Sequence, residues 1–151
     1  MYNNRFRIIR EKNELTTRMT ADNLGISKST YNYLENKNQF TISNLVKFCN
    51  YFHVSSDYAL GLSNTNEYHS KTNYQFDPKL FGNRLKEIRN KNNLTQAKLA
   101  KLLDINQSMI SAYENNHSKM QGYYLYPLSK TLKVSSDYLV GLSNVYNKIP
   151  N

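Results

Sequence analysis

The feature that most constrains this chain is that it repeats itself. Laying residues 2–36 over 81–115, a shift of 79, gives 14 identities in 35 positions. They include Arg5/Arg84, Ile9/Ile88, Arg10/Arg89, Leu15/Leu94, Thr16/Thr95, Ala21/Ala100, Leu24/Leu103, Ile26/Ile105, Glu35/Glu114 and Asn36/Asn115. After one inserted residue the shift becomes 80, and 54–64 then matches 134–144 at 9 of 11 positions. A chain of 151 residues is long enough for two domains of roughly 60–70 residues each. The expected organisation is a first unit at 1–62, a linker at 63–76, a second unit at 77–145 and a tail at 146–151. The linker is polar and has no helical apolar period. Its 14 residues would reach at most about 50 Å when fully extended, and would average roughly 20 Å as a flexible coil.

Each unit reads as a string of short helices. In the second, Asp77-Pro78 is a cap followed by proline at the first helical position. Phe81, Leu85 and Ile88 then recur at helical spacing to about Asn92. Thr95 caps a second helix with Leu99, Ala100 and Leu103 inward. Asn106 caps a third with Met109, Ile110 and Tyr113 inward. Ser135 caps a last short helix, 136–140, stopped by Gly141. In the first unit the caps are Thr16, Ser27, Thr41 and Ser55, and the stop is Gly61. Helix four of that unit, about 42–52, carries Leu45, Phe48, Cys49 and Phe52 on one face. Its counterpart contains Pro127, and an interior proline costs roughly 3 kcal/mol. That helix is therefore predicted to start late, near Pro127, with 116–125 largely loop. No stretch alternates with period two, so the expected fold class is all-α.

Charge narrows the partner. Lys and Arg number 20 against 11 Asp and Glu, for a net charge of +9. The surplus is uneven: 8 basic and 5 acidic residues lie in 1–63, 1 and 2 in 64–77, and 11 and 4 in 78–151. Two basic blocks flank a neutral strip, which suits a polyanionic partner. Aromatics at 13% argue against a disordered chain. A single cysteine, Cys49, excludes an internal disulfide framework and a cysteine-rich zinc module. It is read as core filler on its apolar helix face. No apolar run is long enough to span a bilayer or to form a signal peptide, so a cytoplasmic protein with no membrane partner is expected.

Catalytic chemistry finds no footing. His53, His69 and His117 are scattered with no carboxylate or second histidine at ligand spacing, so no metal site is expected. The serine pairs at 55–56 and 135–136 read as helix caps rather than nucleophiles. Five glycines supply no phosphate-cradling loop. The chain is read as no enzyme, with no cofactor and no small-molecule effector.

The run Leu94-Thr95-Gln96-x-x-Leu99-Ala100-x-x-Leu103-x-Ile105, followed by Ile110-Ser111-x-Tyr113-Glu114-Asn115, closely resembles the lambda-repressor/Cro-like (XRE) helix-turn-helix family. So do Arg84-Leu-Lys-Glu-Ile-Arg89 before it and Val134-Ser-x-Asp-Tyr-Leu139 after it. The match covers about 78–143. The first unit resembles the family more loosely over 2–62, with Thr17 where the family has Gln, Thr20 where it has Leu, and Tyr31-Asn32 where it has Ile-Ser. The resemblance implies two tandem five-helix domains, each with helices two and three as the helix-turn-helix and helix three in the major groove. The short turns Leu103–Asn106 and Leu24–Ser27 agree, since they leave room only for two helices packed at a steep angle.

The outward face of helix three then carries the residues suited to base edges. These are Gln107, Ser108, Ser111 and Ala112 in the second unit, and Lys28, Ser29, Asn32 and Tyr33 in the first. The resemblance places phosphates near Gln96 and its counterpart Thr17, near Arg84 and Arg5, near Lys119 and Lys37, and near Asn115 and Asn36. It also implies that Arg10 pairs with Glu35, and Arg89 with Glu114, tying helix one to the end of helix three. Two functions follow from different classes. One is a sequence-specific regulator of double-stranded DNA, a repressor of phage or mobile-element type, with homodimerisation left open. The other is an antitoxin-like or antirepressor-like protein-interaction module that keeps the fold. The acid-poor recognition faces favour the first.

Overall fold

The computed structural model describes residues 3–68, 74–147 and 149; His69, assigned above to the linker, lies outside them. Local capping chemistry sets most helix starts. Thr16, Ser27, Thr41 and Ser55 each turn a side-chain oxygen to a backbone N–H at the start of α2 (Thr17–Leu24), α3 (Lys28–Lys37), α4 (Ile42–Phe52) and α5 (Ser56–Leu60). They follow α1 (Phe6–Lys12), whose N-cap Arg5 makes no such bond. In the second unit Asp77 caps α6 (Pro78–Lys91), Thr95 caps α7 (Gln96–Leu103) and Ser135 caps α10 (Ser136–Val140). Each such cap satisfies an amide with no intrahelical partner, worth about 1 kcal/mol. Asn106 precedes α8 (Gln107–Glu114) as expected, but its side chain makes no capping bond. Gly61 and Gly141 end α5 and α10 in the left-handed conformation.

The proline conflict resolves as expected, with a late start near Pro127 after a stretch that is largely loop. Helix α9 (Leu125–Leu132) begins two residues before Pro127, and a 3-10 turn at Gly122–Tyr124 precedes it. Pro127 falls in the first turn of α9, where a missing N–H breaks no helical bond.

Among the described residues there is no β-strand. Within each unit the second helix packs on the third, and the first and last helices close over them. The first core stacks Phe6 edge-on against Phe40 and Phe48, at centroid distances of 5.4 and 5.0 Å, over Tyr31, Leu34 and Leu45. The second is aliphatic, built on Leu85, Ile88, Leu99, Ile110, Leu125 and Leu128. Gly82 lets α6 approach the end of α8, because a Cβ there would lie 2.6 Å from the Tyr113 carbonyl oxygen.

The linker departs from the free coil expected above. Asn66 accepts from the Ser55 N–H at 2.8 Å and donates to the His53 carbonyl at 3.0 Å. Tyr68 stacks on His53 at 5.2 Å. Further on, the Tyr74 carbonyl accepts from the Asn50 amide at 3.1 Å, while its hydroxyl donates to the Val140 carbonyl at 2.8 Å. Tyr74 thus bonds one unit through its backbone and the other through its side chain. The two units also touch directly, α5 against α10.

Candidate nucleic-acid interface

Helices α3 and α8 follow short turns after α2 and α7, and each buries one side. Tyr31 and Leu34 of α3, and Ile110 and Tyr113 of α8, face their cores. The opposite sides carry the expected reading residues. Lys28, Ser29, Tyr33, Gln107 and Ser108 are exposed, and Asn32, Ser111 and Ala112 are half-buried. Tyr31, which departs from the family's Ile, sits fully buried beneath α3, and burial, followed by the adjacent Glu35, pushes its phenol well above the usual range. This departure alters the packing and not the outward face.

Each of these helices carries one carboxylate, and neither faces outward. The side chains of Glu35 and Glu114 are 1% exposed. Arg10 reaches Glu35 through Nε at 2.9 Å and Nη2 at 2.8 Å, and donates Nη1 to the Leu15 carbonyl at 2.8 Å. Arg89 holds Glu114 through Nε at 2.6 Å and Nη2 at 3.0 Å, and bonds the Leu94 carbonyl at 2.8 Å. Such forks are directional as well as strong. Burial alone would raise the Glu35 carboxyl, but the hydrogen bonds to it from Arg10 outweigh that and hold it below its ordinary value. The effect is to remove negative charge from both outward faces.

The residues expected over phosphates divide into three groups. Lys37 and Lys119 are exposed beside the ends of α3 and α8. Gln96 braces the recognition helix, as the family resemblance implies, donating from Nε2 to Glu114 Oε1 at 3.2 Å. Thr17, in the equivalent position, is shorter, and Arg7 takes over that role by donating Nε to Glu35 Oε1 at 3.1 Å. Arg7 also donates to Asn36 Oδ1 at 2.6 Å and stays 61% exposed, beside the end of α3. Sequence reasoning missed Arg7, although its counterpart Lys86 lies inside the run 84–89 that carries the resemblance. Asn115 folds back, donating to the Ser111 carbonyl at 2.9 Å.

Arg5 and Arg84 are engaged within their own units. Arg5 Nη1 donates to the Tyr58 and Ser63 carbonyls at 2.6 and 2.8 Å, and Nη2 to Asn64 Oδ1 at 2.8 Å. Arg84 repeats the set on the Tyr138 and Ser143 carbonyls and on Asn144. Each guanidinium also lies over a tyrosine ring, Tyr58 at 4.5 Å and Tyr138 at 4.1 Å. They bind carbonyls at and just beyond the C-terminal turns of α5 and α10. A guanidinium committed this way is a clasp between the first and last helices.

Among the described residues no cluster of three or more His, Cys, Asp or Glu could hold a metal ion, and no helix is long and apolar enough to cross a membrane. His117 is exposed in the loop after α8, and Cys49 is fully buried in α4.

Comparison with known proteins bears on the same two regions. The model of a helix-turn-helix family matches the chain twice, over residues 6–58 and 85–139. The HTH-type transcriptional regulator ImmR of Bacillus subtilis (strain 168) is 39% identical over 67 residues, 44% of this chain and 53% of that protein. The chain thus spans about half the length of this curated relative. The P22 c2 repressor protein, solved in complex with synthetic operator 9T, is 34% identical, covering 42% of this chain and 97% of that one, with a TM-score of 0.40. Two matched regions, each holding an α2–α3 or α7–α8 pair whose leading helix is capped by threonine, make this chain a member of the XRE-type helix-turn-helix family, with the domain present twice in tandem.

Proposed function

We propose that the chain is a sequence-specific transcriptional regulator of double-stranded DNA, a repressor of phage or mobile-element type, that reads the major groove with α3 and α8. The observation that carries this reading is the disposition of charge on those helices. Their outward sides present polar side chains, Lys28, Tyr33 and Ala112 but no carboxylate, while Glu35 and Glu114 are turned inward and neutralised by arginine. Amide and hydroxyl groups there suit base edges, and carboxylates would be repelled by the phosphates. Membership of a family whose matched relative is named a transcriptional regulator supports the same conclusion. Lys37, Lys119 and Arg7 supply the positive rim, with Asn36 and Asn115 beside them. Gln96 positions α8 from behind, and Thr17 leaves that task to Arg7.

Binding of the purified chain to a pool of short random duplexes, followed by anisotropy over a series of salt concentrations, tests the reading. Affinity should fall linearly with the logarithm of salt at a slope of about −0.9 per phosphate neutralised. Repeated selection should enrich a defined sequence. A protein that binds no duplex at low salt is the protein-interaction module instead.

A further inference from the structure

At two separate places in the fold, a residue of the first unit meets its own counterpart in the second. Thr41 and Gln121 are equivalent by the shift of 80, and they pair in an isolated antiparallel bridge. The Gly122 N–H donates to the Phe40 carbonyl at 2.8 Å alongside it. Ser56 and Ser136 are likewise equivalent, both are fully buried, and their hydroxyl oxygens lie 2.6 Å apart. Around them the contacts are exchanged. Asp137 accepts from the Ser56 N–H at 2.7 Å and the Asp57 N–H at 3.1 Å, while Asp57 accepts from the Ser136 N–H at 2.7 Å and the Ser135 hydroxyl at 2.6 Å.

A residue meets its own counterpart in this way only beside a two-fold axis; contact of i with j and j with i is the mark of an isologous interface. Here both halves belong to one chain. The two meeting points fix the direction of the pseudo-axis, which runs from the loops after α3 and α8 to the starts of α5 and α10. Rotation about an axis leaves height along it unchanged. Helices α3 and α8 therefore stand at the same level, beside the Thr41–Gln121 end, and the parts of their outward faces directed along the axis point the same way. The arrangement is locked by close approach. A Cβ on Gly122 would lie 2.2 Å from the Phe40 ring, and Tyr74 clasps α4 to the end of α10.

We infer that one chain is a complete, pre-assembled reader of two half-sites, and that its operator consists of two non-identical half-sites at one fixed spacing. The inference rests on the regulator reading above and adds the operator's architecture to it. The half-sites lie about one helical turn apart, since the two recognition helices enter successive major grooves on one side of the duplex. They differ because Lys28, Ser29, Asn32 and Tyr33 confront one of them and Gln107, Ser108, Ser111 and Ala112 the other. A flexible tether would accept several spacings, and a homodimer using one unit from each chain would select a palindrome.

Duplexes selected by the full-length chain provide the test. The expected sites contain two different motifs at one spacing, and native mass spectrometry finds one chain per duplex. Inserting five base pairs between the motifs, about half a turn, and inserting a full turn of about ten both lower affinity about 10²–10⁴-fold, the loss expected when the second unit no longer engages. Palindromic sites holding two chains, or insertions that are tolerated, overturn the inference. As a second measurement, the S56C/S136C variant should close a disulfide within one chain and keep its operator affinity. A locked protein that loses the operator overturns the fixed geometry. Selection that enriches single motifs at no set spacing overturns the two-half-site operator but leaves the regulator reading standing. Selection that enriches no sequence although the locked variant folds overturns the regulator reading and the operator with it.

Discussion

Replacing Glu114 by alanine should be among the most damaging single changes in the second unit. Glu114 is 1% exposed in its side chain and Arg89 9%, so neither charge has more than marginal access to water. The carboxylate takes two bonds from Arg89, at 2.6 and 3.0 Å, and a third from Gln96 at 3.2 Å. Without it Arg89 keeps its bond to the Leu94 carbonyl, but its charge is left buried without a counter-ion. Removing one partner of a buried pair costs about 3–5 kcal/mol, whereas replacing both by apolar groups of similar volume is often near neutral. Glu114→Ala should therefore lower stability by about 3–5 kcal/mol, and R89M combined with E114M should recover most of that loss. Urea denaturation followed by circular dichroism measures both, with hydrogen exchange of the α8 amides locating the change. A loss below about 1 kcal/mol, the range of exposed pairs, would show that solvent reaches this pair. A double variant as unstable as the sum of the two single changes would refute the argument from desolvation.

Other outcomes follow from the same geometry. Gln107→Ala should cost about 1–3 kcal/mol on the selected site and leave binding to random DNA nearly unchanged at one fixed salt concentration; equal losses on both would mean that a different face of α8 enters the groove. Arg84→Ala removes three hydrogen bonds to the end of α10 and should lower stability by about 1–3 kcal/mol with no change in the salt slope; a slope reduced by about one unit at unaltered stability would restore a phosphate contact. Burial, and then the neighbouring Asp57, raise the Asp137 carboxyl from 3.8 to about 7. A carboxyl raised on folding stabilises the folded chain most below its unfolded value, so that contribution should be lost as pH climbs from about 4 through 7. In pH-dependent urea titrations Asp137→Asn should abolish this decline, while a decline that persists would place its origin elsewhere.

The repeat, the helix caps and the apolar periods made nearly all of the fold legible, because each is a local signal read within a few residues. Thr41 or Ser55 marks a helix start whatever lies beyond it. What stayed illegible is decided by partners distant in sequence. The motif marks Arg5 and Arg84 as basic residues of the first helix, and nothing near them shows that carbonyls 53–60 residues away will occupy their guanidinium groups. Arg7 escaped notice for the converse reason. Its role arises only because Thr17 is too short to brace Glu35 from α2. The linker's polar composition correctly indicated the absence of a helix among its described residues. It did not show that Asn66 and Tyr74 would be fastened to the units on either side.

The meeting of Ser56 with Ser136 also accounts for a pattern in the repeat itself. Identity between the units is highest at 54–64 and 134–144, the segments that pack against each other across the pseudo-axis. Each side of such a contact must fit the other, so Asp57 and Asp137 are tied to the same shape and the same exchanged hydrogen bonds. The outward faces of α3 and α8 are under no such constraint. In a homodimer two recognition helices come from one sequence and must be identical; here they are separate stretches of one chain. Lys28 can stand where Gln107 stands, and Tyr33 where Ala112 stands, without disturbing the contact that holds the units together. Duplication within a chain thus keeps the geometry of a symmetric pair while freeing its two reading surfaces to differ, and the sequence differs there.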